Sequence, residues 1–308
     1  MKEPILILIA TDYSEVAING EKYAIQFARQ LNATIVFLHV YTIPVNKYQD
    51  SEISTNQTIE NEVELKKLKD HRDKLLRLLN SIDLYSNCEC IAIEGKPSKQ
   101  ICKTAIKLDA DFIILGNHGA DNSNKKLIGR TAWEVIRKAT NPVLLIPREA
   151  IFKGLNKIVF ATEHRVGEIP AVYYLTGLAG KTDAELIVLH ATDHTLNKDY
   201  DKKVFETFKI ELQTKIKYKE LKVLILENKN IVEGIDQFCT ETKADLLVTS
   251  PEKPPLLERI FMPNYPFTNK MSLHTKMPLL TVPDYYSPDY RAFWKIFEMD
   301  EQFLEDLL

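Results

Sequence analysis

At 308 residues the chain can form one large domain or two of about 150 residues, and its 45% hydrophobic content is ample for packed cores. No apolar run approaches the ~18 residues a membrane span requires, and Ile5-Leu6-Ile7-Leu8-Ile9 is too short and too early for a secretion signal. A cytoplasmic location with no membrane partner is the expectation. The formal charge of −3 supplies no net pull toward nucleic acid, which is not expected as a partner.

In chain order, short β-branched runs alternate with segments of helical period. Strands are predicted over 5–10, 34–41, 88–94, 111–115 and 142–146, with helices over about 15–31, 58–80, 97–109 and 129–140. Ser14 is placed to cap the first helix, whose buried face would use Ala17, Ala24, Phe27, Ala28 and Leu31. Pro97 falls in the first turn of the third helix, where its missing N–H costs nothing. Continuous apolar strands joined by helices imply a parallel sheet covered on both faces. Right-handed crossovers favour a doubly wound α/β domain of strand order 3-2-1-4-5, which makes the tips of strands one and four neighbours.

The pattern then starts again. Ile7-Leu8-Ile9-Ala10-Thr11-Asp12 recurs as Ile158-Val159-Phe160-Ala161-Thr162-Glu163, and Ala33-Thr34-Ile35-Val36-Phe37-Leu38-His39-Val40 as Ala184-Glu185-Leu186-Ile187-Val188-Leu189-His190-Ala191, both at an offset of 151. Asp109-Ala110-Asp111 pairs with Lys243-Ala244-Asp245, and Asn141-Pro142 with Met277-Pro278. The chain therefore divides into residues 1–148, a second copy over 149–283 and an acidic tail over 284–308. The second copy lacks about fifteen residues from its middle, placed around the loop and helix after its second strand. In the tail, seven acidic and two basic residues surround Phe293, Trp294, Phe297, Leu304 and Leu308, which reads as an amphipathic helix packed on the chain itself or on a partner.

Function is concentrated after the fourth strand. Three of the ten glycines, Gly116, Gly119 and Gly129, fall within fourteen residues directly behind Phe112-Ile113-Ile114-Leu115. A strand that ends in a glycine loop and hands over to a helix suits a phosphate: backbone approaches the anion closely, and helix N-terminal N–H groups point at it. The equivalent stretch of copy two, Ser250-Pro251-Glu252-Lys253-Pro254-Pro255, has no glycine, and its prolines remove N–H donors. Copy two is therefore expected to be structural or regulatory.

These segments together resemble the universal stress protein family. Ile7 to Glu15 is similar to the opening of such a domain, Leu38-His39-Val40 to the end of its second strand, and Glu94-Gly95-Lys96-Pro97 through Gly116-Asn117-His118-Gly119 to its most recognisable segment. The likeness spans copy one and, more faintly, copy two. It implies two tandem Rossmann-like domains of the adenine nucleotide alpha hydrolase-like type. It also implies ATP, or ADP or AMP, as ligand, with Mg²⁺ a candidate companion. By the family pattern G-x2-G-x9-G-[ST], Gly116, Gly119 and Gly129 would surround the phosphates, Asp12 would accept from a ribose hydroxyl, and Val40 would meet the adenine edge through its main chain. Ala10, Thr11, Leu115 and His118 complete the implied set. The chain departs from the pattern at one place. Arg130 stands where a hydroxyl is wanted, with Thr131 next; the guanidinium could grip phosphate, fill its space, or project into solvent.

Other signals read as bland. Cys88, Cys90, Cys102 and Cys239 lack disulfide or zinc spacing and read as structural thiols. His190 and His194 follow a strand and are not expected to hold a metal. His118 reads as a solvent-facing loop residue that could also donate to an anion. No carboxylate besides Asp121 and no P-loop lysine stands in the loop, so an enzyme is not expected, though slow ATP turnover stays open. Expected partners are an adenine nucleotide, the chain's own second domain, and a second copy in a homodimer. The competing reading is a stress-associated scaffold or chaperone-like protein that binds no nucleotide.

Overall fold

The computed structural model describes residues 4–43, 53–117, 128–162, 168–193, 198–250 and 277–283. The chain forms two compact units, Met1–Ile151 and Phe152–Leu308. The acidic tail and the proline-rich stretch after Ser250 lie outside the described residues.

In the first unit, β1 (Leu6–Thr11), β2 (Thr34–Tyr41), β3 (Cys88–Glu94), β4 (Phe112–Gly116) and β5 (Val143–Ile146) alternate with α1 (Glu15–Leu31), α2 (Ile53–Leu78), α3 (Pro97–Lys107) and α4 (Arg130–Lys138). The strands pair in parallel in the order β3-β2-β1-β4-β5, as the crossover argument requires. Sequence periodicity located these elements to within a few residues. It missed the early start of α2 and the 3-10 helix over Ile82–Asn87 that leads into β3.

The strands are buried on both faces because helices cover both. Ile7, Leu8, Phe112, Ile113 and Ile114 have no exposed surface, and each such side chain contributes about 1.5–3 kcal/mol of burial. Ser14 Oγ accepts from the Ala17 N–H at 3.2 Å and caps α1. All five residues predicted for the buried face of α1 are buried, and Phe27 meets Phe112 edge to face at 5.6 Å.

The second unit repeats the plan. Here β6 (Lys157–Thr162), α5 (Ile169–Thr182), β7 (Glu185–Thr192), α6 (Lys198–Lys215), β8 (Leu221–Glu227), α7 (Ile231–Thr242), β9 (Leu246–Thr249) and β10 (Leu279–Thr281) give the order β8-β7-β6-β9-β10. Even the register is copied: Leu6 faces Thr34 in the first unit and Lys157 faces Glu185 in the second. The shortening falls where expected, α6 having 18 residues against 26 in α2. Repeated residues also keep their jobs. Asp111 accepts from the Leu6 N–H and Asp245 from the Lys157 N–H, so one carboxylate ties the fourth strand to the first in each unit. Asn32 and Asp183 both end their helices in the left-handed region, at φ 52° and 56°.

The thiols are packing groups. Burial pushes Cys88 up to about 12, with the neighbouring Cys90 thiol adding to the shift, and pushes Cys239 up to about 12 with help from Asp236. Since the thiolate is the nucleophile, both remain unreactive thiols at pH 8. Iodoacetamide at that pH should leave Cys88 and Cys239 unmodified in the folded chain and alkylate both in urea, as peptide mass spectrometry will read.

Candidate functional site

The tips of β1 and β4 lie side by side at the point where the strand order reverses, and a cleft opens there. The route from β1 into α1 is a tight, self-bonded turn. Asp12 Oδ1 accepts from the Ser14 N–H at 3.0 Å, and Thr11 Oγ1 accepts from the Tyr13 N–H at 3.1 Å. Tyr13 sits between them at φ 61°, a left-handed conformation that costs a bulky residue about 1–3 kcal/mol. Its ring is fixed against His39, centroids 4.5 Å apart, and edge-on to His71 at 5.1 Å. The turn thus holds the Asp12 carboxylate at the rim of the cleft.

Each surrounding element adds a few residues. β1 contributes Ala10 and Thr11, and the turn after it Asp12; β2 contributes Leu38 and Val40; β4 contributes Leu115 and Gly116. α1 adds Ala17, α3 adds Pro97 and Ile101, and α4 adds Thr131 and Ala132. The interior is apolar, with a carboxylate on one side and a hydroxyl at a helix N-terminus on the other. Such a surface suits a flat, weakly polar ring that carries hydroxyls and an anionic group.

Seven of the residues singled out in the sequence therefore meet in one cleft: Ala10, Thr11, Asp12, Val40, Leu115, Gly116 and Thr131; Arg130, the neighbour of Thr131, is not among its lining residues. His118 and Gly119 lie outside the described residues. Gly129 is the N-cap of α4, and its N–H donates to the Asn117 carbonyl at 2.6 Å, closing the base of the loop. That amide is committed to the fold. The amides left facing a ligand are those of the following turn of α4.

Gly116 has a reason of its own. A Cβ built there would stand 2.9 Å from Val16 Cγ1 and 3.0 Å from the Val16 carbonyl carbon and oxygen. The close approach of α1 to the tip of β4 therefore demands glycine, whatever binds in the cleft. Arg130 points away from the cleft in this structure: 88% of its side chain is exposed and its Nε donates to Glu134 Oε1 at 3.2 Å. Of the alternatives weighed for it, projection into solvent is what the geometry shows, and Thr131 brings the hydroxyl to the cleft one position late.

Behind the turn lies a polar cluster that the sequence reading missed. Glu21 is fully buried on α1, and His71 Nε2 of α2 donates to its Oε2 at 2.6 Å. His39 donates through Nδ1 to the Thr11 carbonyl at 2.9 Å, with Nε2 3.8 Å from Glu64. Burial, with Glu64 and Glu21 nearby, holds the Tyr13 phenol well above the ordinary tyrosine range. A carboxylate at Glu21 on the apolar stripe of α1 was the available signal. His190 of the second unit repeats the His39 contact, Nδ1 to the Thr162 carbonyl at 3.1 Å, so this histidine locks a strand tip in both copies. Among the described residues no group of three or more His, Cys, Asp or Glu is placed to hold a metal ion, and no helix is long and apolar enough to cross a membrane.

Comparison with known proteins places this geometry. The family profile described as the universal stress protein family matches residues 6–147. A universal stress protein of Methanocaldococcus jannaschii is 28% identical over 153 residues, covering 46% of this chain and 94% of that protein. A second one from the same organism is 25% identical over 142 residues, covering 46% and 81%. The fold extends over both units. The crystal structure of a universal stress protein from Archaeoglobus fulgidus DSM 4304 covers 91% of this chain and 98% of its own at a TM-score of 0.64 and 19% identity. One of a functionally unknown protein from Pseudomonas aeruginosa PAO1 covers 98% of both at 0.51 and 15% identity. The N-terminal unit, residues 6–147, thus matches the universal stress protein family, and the second unit repeats the same fold in tandem.

Proposed function

We propose that the N-terminal unit binds an adenine nucleotide, ATP before ADP or AMP, and that the chain acts as a nucleotide-responsive binding module in a stress response. The carrying observation is the single cleft that gathers Asp12, Val40, Gly116 and Thr131 at the switch point of the sheet. Asp12 would accept from the ribose, the β2 backbone at Val40 would meet the base, and the first turn of α4 with Thr131 would take phosphate. Any Mg²⁺ would arrive with the phosphates, since Asp12 is the one carboxylate among the described lining residues. The same scarcity favours binding over catalysis, because Asp12 already accepts from the Ser14 N–H.

Asp12→Asn is the discriminating variant. An amide oxygen still accepts from Ser14 and preserves the turn, while the charge offered to the ribose is lost. Titration calorimetry with ATP should show affinity falling about tenfold, the worth of one hydrogen bond to a charged group. No heat from the parent chain at millimolar ATP would overturn the nucleotide reading and leave the scaffold alternative standing.

A further inference from the structure

Glu134 on α4 is the centre of an unequal ion cluster. Its Oε2 accepts from Ser98 Oγ at 2.6 Å and lies 2.8 Å from Lys96 Nζ and 3.3 Å from Lys138 Nζ, while Oε1 accepts from Arg130 Nε at 3.2 Å. Three cations share one carboxylate. The Lys96 ammonium and then the Ser98 hydroxyl hold the Glu134 carboxyl well below the ordinary carboxylate range, so it stays ionised and keeps its cations gathered.

Two of those cations are carried by residues next in sequence to the cleft lining. Lys96 immediately precedes Pro97, and Arg130 immediately precedes Thr131; Pro97 and Thr131 are both lining residues. Lys138 stands further along α4 and follows no lining residue, although its Nζ reaches the same Glu134 oxygen as Lys96 Nζ. The side chains of Lys96 and Arg130 are 55% and 88% exposed, so their bonds to Glu134 are weak surface pairs that a stronger anion can displace. A phosphate chain is such an anion, because it offers more charge and accepts bidentately from a guanidinium.

We infer that the cleft selects nucleotides by the length of their phosphate chain. Lys96 and Arg130 leave Glu134 to grip the phosphates beyond the first, and Glu134 is the positioning residue that stores both cations at the mouth. This rests on the adenine-nucleotide reading. The monophosphate, held by Thr131 and the α4 amides, gains nothing from either cation. The hydroxyl missing beside Gly129 is thereby replaced by two mobile positive charges.

The test is titration calorimetry of the full chain with AMP and ATP at one low ionic strength, since salt screens such contacts. ATP should bind at least about tenfold more tightly than AMP, and Arg130→Ala and Lys96→Ala should each take about tenfold from ATP and under about twofold from AMP. Glu134→Gln, which frees the cations, should tighten ATP and leave AMP unchanged. Lys107→Ala, at the far end of α3 from Pro97, removes the same charge away from the cleft and should preserve the ATP:AMP ratio. An unchanged ratio in the Lys96→Ala, Arg130→Ala double variant overturns the inference alone, as does a loss in Lys107→Ala as large as in Arg130→Ala. No binding of either adenylate to a parent chain with intact circular dichroism overturns the nucleotide reading and this inference together.

Discussion

Replacing His71 with alanine should destabilise the N-terminal unit by about 3 kcal/mol, the cost of leaving a buried carboxyl group without its hydrogen-bond partner. Glu21 has no exposed surface, its Oε2 is 2.6 Å from His71 Nε2, and its Oε1 has no partner among the described residues. Alanine at 71 would leave that carboxyl group without its hydrogen-bond partner. The loss should be recoverable. Glu21→Leu combined with His71→Leu removes both polar groups and restores apolar packing, so the double variant should lie within about 1–2 kcal/mol of the parent. Urea unfolding followed through Trp133, in a Trp294→Phe background, reads the first unit. A cost below about 1 kcal/mol for His71→Ala would mean that Glu21 is held by other means.

The Glu21–His71 pair also shows why sequence reading stopped where it did. The strands announced themselves because a parallel sheet covered on both faces leaves continuous apolar runs such as Ile5 to Ile9 and Phe112 to Leu115. The first turns of α2 carried no such sign: Ser54, Thr55, Asn56 and Gln57 offer no apolar period. At the cleft, Asp12, Val40 and Thr131 were legible as strand tips and a helix start, since chain order and crossover handedness fix where those meet. The direction of Arg130 was not, because it depends on Glu134, which is itself drawn to Lys96 and Ser98 of a different helix. Pairing Glu21 with His71 likewise needs two helices fifty residues apart to be packed first. Tyr13's left-handed turn belongs to the same class, being held by rings from β2 and α2.

Gly116 is the residue whose apparent meaning changed most, and its substitution should expose the difference. Gly116→Ala should cost the N-terminal unit about 1–3 kcal/mol by overpacking, with or without nucleotide present. The argument is steric. Gly116 ends β4 without a left-handed φ, so alanine meets no backbone strain there, but its Cβ would press on the Val16 backbone, which cannot rotate aside as a side chain would. Gly20 faces the same junction, its own added Cβ standing 3.2 Å from the Gly116 N, so α1 has no room to retreat. Gly129 is the control. As an N-cap at φ −62° and ψ 147° it occupies a conformation open to any residue, and Gly129→Ser adds a preferred capping hydroxyl. That variant should be within about 0.5 kcal/mol of the parent or slightly more stable. If both variants instead unfold like the parent and differ only in ATP affinity, Gly116 serves the ligand and not the helix. If Gly116→Ala alone is destabilised, weak binding by a Gly116 variant says nothing about phosphate contact, and Asp12→Asn remains the cleaner probe of the cleft.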